Sequence, residues 1–115
     1  MEKVISISII FLAELIGIFA EIFGARYYNT HSESFVRAFL KIFPVIFISA
    51  VLLLGGYMFG LKIFKNIWIV SVISITSILI IEPFIAYFIG GQLPTKGAII
   101  GLVFGVLGFA AALFL

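Results

Sequence analysis

The amino-acid sequence predicts an all-α membrane protein, a bundle of four transmembrane helices with short loops. Of its 115 residues, 64% are hydrophobic and only 10% are charged, whereas soluble domains average about 25% charged residues. The apolar residues fall into four long runs, and a membrane helix needs about 20 mostly apolar residues. None of these runs alternates polar with apolar residues, as the strands of a membrane β-barrel would.

We predict one domain over residues 1–115 with four helices, at residues 4–24, 36–64, 67–90 and 97–115. The polar residues 25–34 predict a loop with interfacial tyrosines between the first two helices. The second run contains Pro44 and the pair Gly55–Gly56, so we expect a tilted or kinked helix there. Because the connections are short, neighbouring helices should be antiparallel.

Glu14 is the most informative residue of the first run. It lies roughly 15 Å from the start of that run at 1.5 Å per residue, near the midplane of a bilayer. A charged side chain at that depth costs on the order of 3 kcal/mol even on insertion scales, so its presence indicates a function. Because burial disfavours the charged form of a carboxyl, Glu14 could hold either a proton or a cationic substrate. Glu14 and Glu21 also make this run a poor cleaved signal peptide, and we expect it to remain as a helix.

Small and acidic residues share one face of the first helix. Glu14, Gly17, Glu21 and Gly24 follow at i, i+3, i+7 and i+10, a spacing that puts them on one side of a helix. We expect this face to point into the bundle or a water-filled cavity. Glu21 is close to the far interface, and two interpretations stay open for it. It either takes part in the site or forms an interfacial ion pair, which we favour, with Arg26, Arg37 or Lys41.

The third helix carries a second deep acid, Glu82, followed by Pro83. Glu82 should lie at a depth similar to that of Glu14. Hydroxyl side chains precede it, and such groups often bond back to their own helix. We expect this for at least half of the set Ser71, Ser74, Thr76 and Ser77. The predicted proton- and substrate-binding residues are Glu14, Gly17, Ser71, Ser74 and Glu82.

Composition argues against several other classes of protein. The chain has no cysteine, one histidine and, among its acids, only glutamate, so we expect no catalytic triad, no metal site and no cofactor. It contains no phosphate-binding glycine-rich loop with a following lysine, so ATP coupling is not expected. The net charge of +2 is too small and scattered for nucleic acid. We therefore predict a protein that is not an enzyme, with membrane lipid, protons and a small substrate as partners.

Charge gives almost no preference for one membrane orientation. With four spans both termini lie on one side. That side carries Lys3, Lys62 and Lys65, and the opposite side carries Arg26, Arg37, Lys41 and Lys96. Either a partner orients the chain, or it inserts both ways, which would allow an antiparallel homodimer.

The fourth helix has glycines at four-residue spacing, a pattern that allows close helix approach. Two interpretations stay open: packing within the chain, and a dimer seam, which we favour because so short a chain cannot easily enclose a substrate path alone. The predicted seam consists of Gly97, Gly101, Gly105 and Gly108.

Two segments carry a resemblance to a known family. Residues 12–17, Leu-Ala-Glu-Leu-Ile-Gly, are similar to the first-helix signature of the small multidrug resistance transporters. Residues 91–101, Gly-Gln-Leu-Pro-Thr-Lys-Gly-Ala-Ile-Ile-Gly, resemble the turn into their fourth helix and the repeat ending of the wider drug/metabolite transporter superfamily. The position of Pro44 fits as well. The resemblance implies a four-helix protein of the prokaryotic plasma membrane that works as a dimer, with Glu14 binding both protons and substrate.

The third helix is serine-rich where that family has aromatic residues around its substrate. From the resemblance and from Glu14 we predict a secondary-active transporter that couples protons to exchange or efflux of a small cationic or amphipathic substrate. The alternative is an accessory subunit of a larger membrane complex, or a flippase subunit for a lipid-linked substrate.

Overall fold

The computed structural model describes residues 1–31 and 34–115, without the side chain of Leu113. Every regular element within these residues is a helix, so the predicted all-α four-helix membrane bundle is confirmed. The helices are α1 (Glu2–Thr30), α2 (Phe35–Phe64), α3 (Ile67–Phe88) and α4 (Lys96–Phe114). Helices α1, α2 and α3 are long and apolar enough to cross a membrane, and α4 is apolar over its described residues Lys96–Ala112.

Helix α1 is longer than predicted, and the predicted loop at residues 25–34 is wrong over its first six positions; residues 32 and 33 lie outside the described residues. Polarity alone does not end a helix, and this segment has no glycine or proline before its end. Its last turns are stabilised by rings that stack at four-residue intervals, with Tyr27 on Phe23 and His31 on Tyr27. The hydroxyl of Thr30 also donates to the carbonyl oxygen of Arg26.

Helices α2 and α3 are joined by a two-residue turn, Lys65–Asn66. Lys65 adopts the left-handed conformation (φ 60°) that commonly ends a helix. The side chain of Asn66 then caps α3 by accepting from the backbone N–H of Trp68 at 2.9 Å. Helices α2 and α3 both continue through their internal prolines, Pro44 and Pro83.

Helices α1 and α2 pack closely and antiparallel, because glycines on each face the other. A Cβ atom added at Gly24 near the end of α1 would lie 3.2 Å from Ile42 near the start of α2. At the other end, a Cβ atom at Gly60 would lie 2.9 Å from the hydroxyl oxygen of Ser6. Between them, a Cβ atom at Gly56 would lie 2.9 Å from Ile10 Cγ1. The absence of these Cβ atoms lets the two backbones approach.

Helix α3 runs parallel to α1 and packs along it. Val70 in its first turn lies against Gly60 of α2. Its end is tied to α1 by Arg26, whose Nη1 donates to the carbonyl oxygen of Ile89 at 2.5 Å. Among the described residues, α4 packs on α3 alone, with Gly105 against Leu79. Helices α2 and α3 separate beyond their shared turn and leave a cleft that α1 backs.

Candidate functional site

Glu14 lies in this cleft and is held by a side chain from another helix. The hydroxyl of Ser74 on α3 donates a hydrogen bond of 2.5 Å to Oε1 of Glu14. Ser74 is buried and Glu14 is half-buried. Because a serine hydroxyl can both donate and accept, Ser74 can stay bonded to Glu14 in either protonation state of the acid. The structure thus brings together two residues of the predicted binding set.

A second serine brings α2 against α1 beside Glu14. The buried hydroxyl of Ser49 donates to the carbonyl oxygen of Ala13 at 2.8 Å. Gly17 leaves the space that this contact needs, since a Cβ atom there would lie 2.6 Å from the Ser49 hydroxyl oxygen. Gly17, which we predicted to be part of the site, is therefore the residue that lets α2 approach the acid.

The cleft has a volume of about 300 Å³ and is lined by three helices. Three carboxylates face it: Glu14 and Glu21 from α1 and Glu82 from α3. None of the described lining residues is basic. The rest of the wall is small or apolar and consists of Gly17, Ile18, Ile46, Ser49, Ala50, Leu53 and Ile78. The arrangement can neutralise its acids by taking up protons or a cation.

Glu21 belongs to the cleft, and within the described residues Arg26 does not pair with it. Five residues along a helix correspond to about 140° around its axis, so Arg26 projects from another side of α1 and bonds to Ile89 instead. The ammonium of Lys41 donates to the hydroxyl of Tyr27 at 2.8 Å and lies over its ring. In the described structure Arg26 therefore bonds to Ile89 and not to Glu21; an ion pair of Glu21 with Arg37 or Lys41 stays a prediction.

The hydroxyls of α3 divide as expected. Thr76 donates to the carbonyl oxygen of Val72 at 2.6 Å and Ser77 to that of Ile73 at 2.9 Å, both within the helix. Ser74 is the exception that reaches Glu14. Ser71 is half-buried and is not among the described residues that line the cleft. No three His, Asp or Glu side chains in the described part of the chain are placed to hold a metal ion.

Sequence reasoning missed the small residues of α2. Ser49, Gly56 and Gly60 form one stripe, with intervals of seven and four residues that return to the same helix face. The motif Gly56-x-x-x-Gly60 has the same four-residue glycine spacing as the predicted dimer seam on α4. This stripe packs α2 on α1 and so fixes the wall of the cleft.

The glycines of α4 have different surroundings. A Cβ atom at Gly105 would lie 3.2 Å from Leu79, whereas nothing lies within 4 Å of one at Gly101 or Gly108. A Cβ atom at Gly97 would meet only Thr95, at 3.9 Å. Of these four glycines, Gly105 therefore packs against a described residue of another helix, and the dimer seam stays a prediction.

A second cavity of about 320 Å³ lies between the end of α1 and the start of α2. It is mostly apolar and aromatic, with Tyr28, Phe35 and Phe39 in its wall. Glu21 is its acidic residue and Asn29 its amide. The sequence predicted neither this cavity nor its position beside the cleft. The residues that line it come from two helices, and their contact depends on how those helices pack.

Comparisons with protein-family models, with curated proteins and with solved structures give no match for this chain.

Proposed function

We propose that this chain is a secondary-active transporter of the small multidrug resistance type, or a related member of the drug/metabolite superfamily, in a prokaryotic plasma membrane. It exchanges protons for a small cationic or amphipathic substrate at Glu14. One observation carries the proposal: Glu14, bonded to Ser74, faces a cleft that also holds Glu21 and Glu82 and has no described basic lining residue.

Mutual exclusion at Glu14 is the coupling step. A carboxylate in a membrane is costly unless a proton or a cation neutralises it. A proton arriving at Glu14 removes the charge that attracts the substrate, and the substrate leaves. A cation arriving from the other side favours the carboxylate and displaces the proton. Glu82 supplies a second acidic contact from α3 for the bound cation.

The active unit is a homodimer. Glu21 and Glu82 both line the cleft and are exposed in the single chain. Carboxylates that faced lipid would be costly, and a second copy laid over the cleft would shield them. The open faces of Gly101 and Gly108 offer close contact to such a copy. Near-equal positive charge at the two ends of the bundle suits an antiparallel pair.

The same open cleft favours a second candidate. A flippase subunit for a lipid-linked substrate needs a cleft that opens sideways to lipid beside its polar groups, and this cleft opens between α2 and α3 next to Glu14. Purification in mild detergent separates the two candidates. A homodimer fits the transporter, and a stoichiometric complex with another membrane protein fits the subunit.

Proton release from the purified protein tests the exchange. Amines and guanidinium compounds are added to the weakly buffered protein, and released protons are followed with a pH dye. We expect release from the wild type and none from Glu14→Gln. The matched control is Glu2→Gln, the same change in the exposed first turn of α1, which should release protons as the wild type does. Equal release from Glu14→Gln would refute the proposed site.

Vesicle transport provides the second arm. When a proton gradient is imposed, reconstituted wild-type protein should move a compound that caused proton release against that compound's own gradient. Glu14→Gln should abolish this coupled flux and Glu2→Gln should keep it. Coupled flux that persists in Glu14→Gln would remove the transporter proposal.

A further inference from the structure

Glu21 lines both cavities of the bundle. Among the described lining residues it shares this position only with Ile46 on α2. Glu21 therefore lies where the α1–α2 cavity and the cleft that contains Glu14 adjoin. Each space, about 320 Å³ and about 300 Å³, is large enough for several waters, since one water occupies about 30 Å³ of the liquid. Water also needs polar partners, and Glu21, Tyr28 and Asn29 are the lining residues of the α1–α2 cavity that have polar side chains.

The α1–α2 cavity reaches from Glu21 towards the membrane surface. Its outer wall is made by the last turns of α1, with Tyr28 and Asn29, and the first turn of α2, with Phe35. A helix of 29 residues is roughly 43 Å long, longer than the hydrocarbon core of about 30 Å, so the end of α1 reaches the headgroup region. The cavity thus connects the interface with the depth of Glu21.

Glu14 lies two helical turns deeper, about 10 Å along α1 from Glu21, on the same face. The charged groups that act on Glu21 are Glu82 on α3 and Glu14 on its own helix. The described residues of α2 add no charged side chain to either cavity. The described residues that line the two cavities include no basic side chain, so Glu21 can exchange protons with both spaces.

We propose that Glu21 is a proton relay between the α1–α2 cavity and Glu14. A hydronium ion in the cavity gives its proton to the Glu21 carboxylate, which becomes a neutral carboxylic acid. That O–H then passes its proton through cleft water to the carboxylate of Glu14, and Glu21 returns to its ionised form. The role rests on the proposed exchange at Glu14 and extends it by naming the route of the proton.

A pH jump on the protein in lipid nanodiscs tests the relay without any substrate. Time-resolved infrared absorption follows the protonated carboxyl band of Glu14, identified by its loss in Glu14→Gln. We expect Glu21→Gln to slow the protonation of Glu14 at least tenfold and to leave its final amplitude unchanged. Glu21→Asp, which keeps a carboxyl, should recover part of the rate. Glu2→Gln should protonate Glu14 at the wild-type rate.

A second variant keeps every acid and fills the cavity instead. Ala25 lines the α1–α2 cavity and is exposed, so Ala25→Leu should also slow the protonation of Glu14. Its matched control is Ala86→Leu, at an exposed alanine of α3 outside the residues that line either cavity. Circular dichroism of each variant shows whether it folds.

Three results would overturn the relay. They are a wild-type rate in Glu21→Gln, equal slowing in Glu21→Gln and Glu2→Gln, and equal rates in Ala25→Leu and Ala86→Leu. A smaller final amplitude in Glu21→Gln would also overturn it, because Glu21 would then alter proton binding by Glu14 rather than delivery. Failure of the proposed exchange would be detected separately, in the vesicle transport experiment, as coupled flux that survives in Glu14→Gln.

Discussion

The side chains of Glu14 and Ser74 are joined by a hydrogen bond of 2.5 Å from the serine hydroxyl to Oε1 of the carboxylate. This bond links α1 to α3 at Glu14, which lines the cleft. The nearby residues Thr76 and Ser77 donate their hydroxyl hydrogen bonds to backbone carbonyl oxygens of α3 itself. Ser74 is therefore the hydroxyl of α3 that both positions the acid and holds two helices together.

Ser74→Ala should destabilise the bundle. Interhelical hydrogen bonds in membrane proteins contribute about 0.5–2 kcal/mol, and this variant loses one. Ser77→Ala is the matched control, since the hydroxyl of Ser77 bonds within α3 and its loss should cost less. The measurement is equilibrium unfolding in mixed micelles. Equal stability of the two variants would contradict an α1–α3 link through Ser74.

Gly56→Ala should be strongly destabilising. The new Cβ atom would lie 2.9 Å from Ile10 Cγ1 and 3.5 Å from the backbone nitrogen of Ile10, and overpacking of this kind costs about 1–3 kcal/mol. The adjacent Gly55 is the control, because nothing lies within 4 Å of a Cβ atom there. Thermal unfolding of both variants in one detergent provides the comparison. A Gly55→Ala variant as unstable as Gly56→Ala would argue against the close contact of α1 and α2.

Ser6→Ala should leave stability unchanged or raise it. The hydroxyl oxygen of Ser6 is fully buried and has no hydrogen-bond partner within the described part of the chain. An unsatisfied buried polar group costs about 1–3 kcal/mol, and alanine removes it. Ser49→Ala makes the opposite change, since the hydroxyl of Ser49 bonds to Ala13, and it should destabilise. Denaturant titration of the pair checks the sign, and a loss of stability in Ser6→Ala would show that its hydroxyl has a partner.

Gly101→Leu should separate dimer formation from folding. Nothing lies within 4 Å of a Cβ atom at Gly101, so leucine fits the single chain but would block close approach of a second copy. Gly105→Leu should instead disrupt the packing of α4 on α3, because a Cβ atom at Gly105 already lies 3.2 Å from Leu79. Energy transfer between labelled copies in nanodiscs reports association, and circular dichroism reports folding. Undiminished association of a folded Gly101→Leu variant would exclude Gly101 from the seam.

The existence of the helices and the position of Glu14 on one helix face with Gly17 and Glu21 were predictable because both depend on local sequence. The order of apolar and polar runs and the spacing of acids along one helix are local properties. The end of α1 was not predictable by the same reasoning. The polar residues after Gly24 indicated a loop, yet stacked rings and the absence of a helix breaker carry the helix to Thr30.

The sequence by itself determined an all-α membrane protein with a deep glutamate on a face of small residues, since hydrophobic length and helical spacing decide both. Only the tertiary structure decided which group each polar side chain meets. Ser74 rather than Ser71 reaches Glu14, and Arg26 bonds to Ile89 rather than to Glu21. The physical reason is that such contacts depend on the rotation and crossing of the helices. Packing of small residues from distant segments, such as Gly56 on Ile10, sets that rotation.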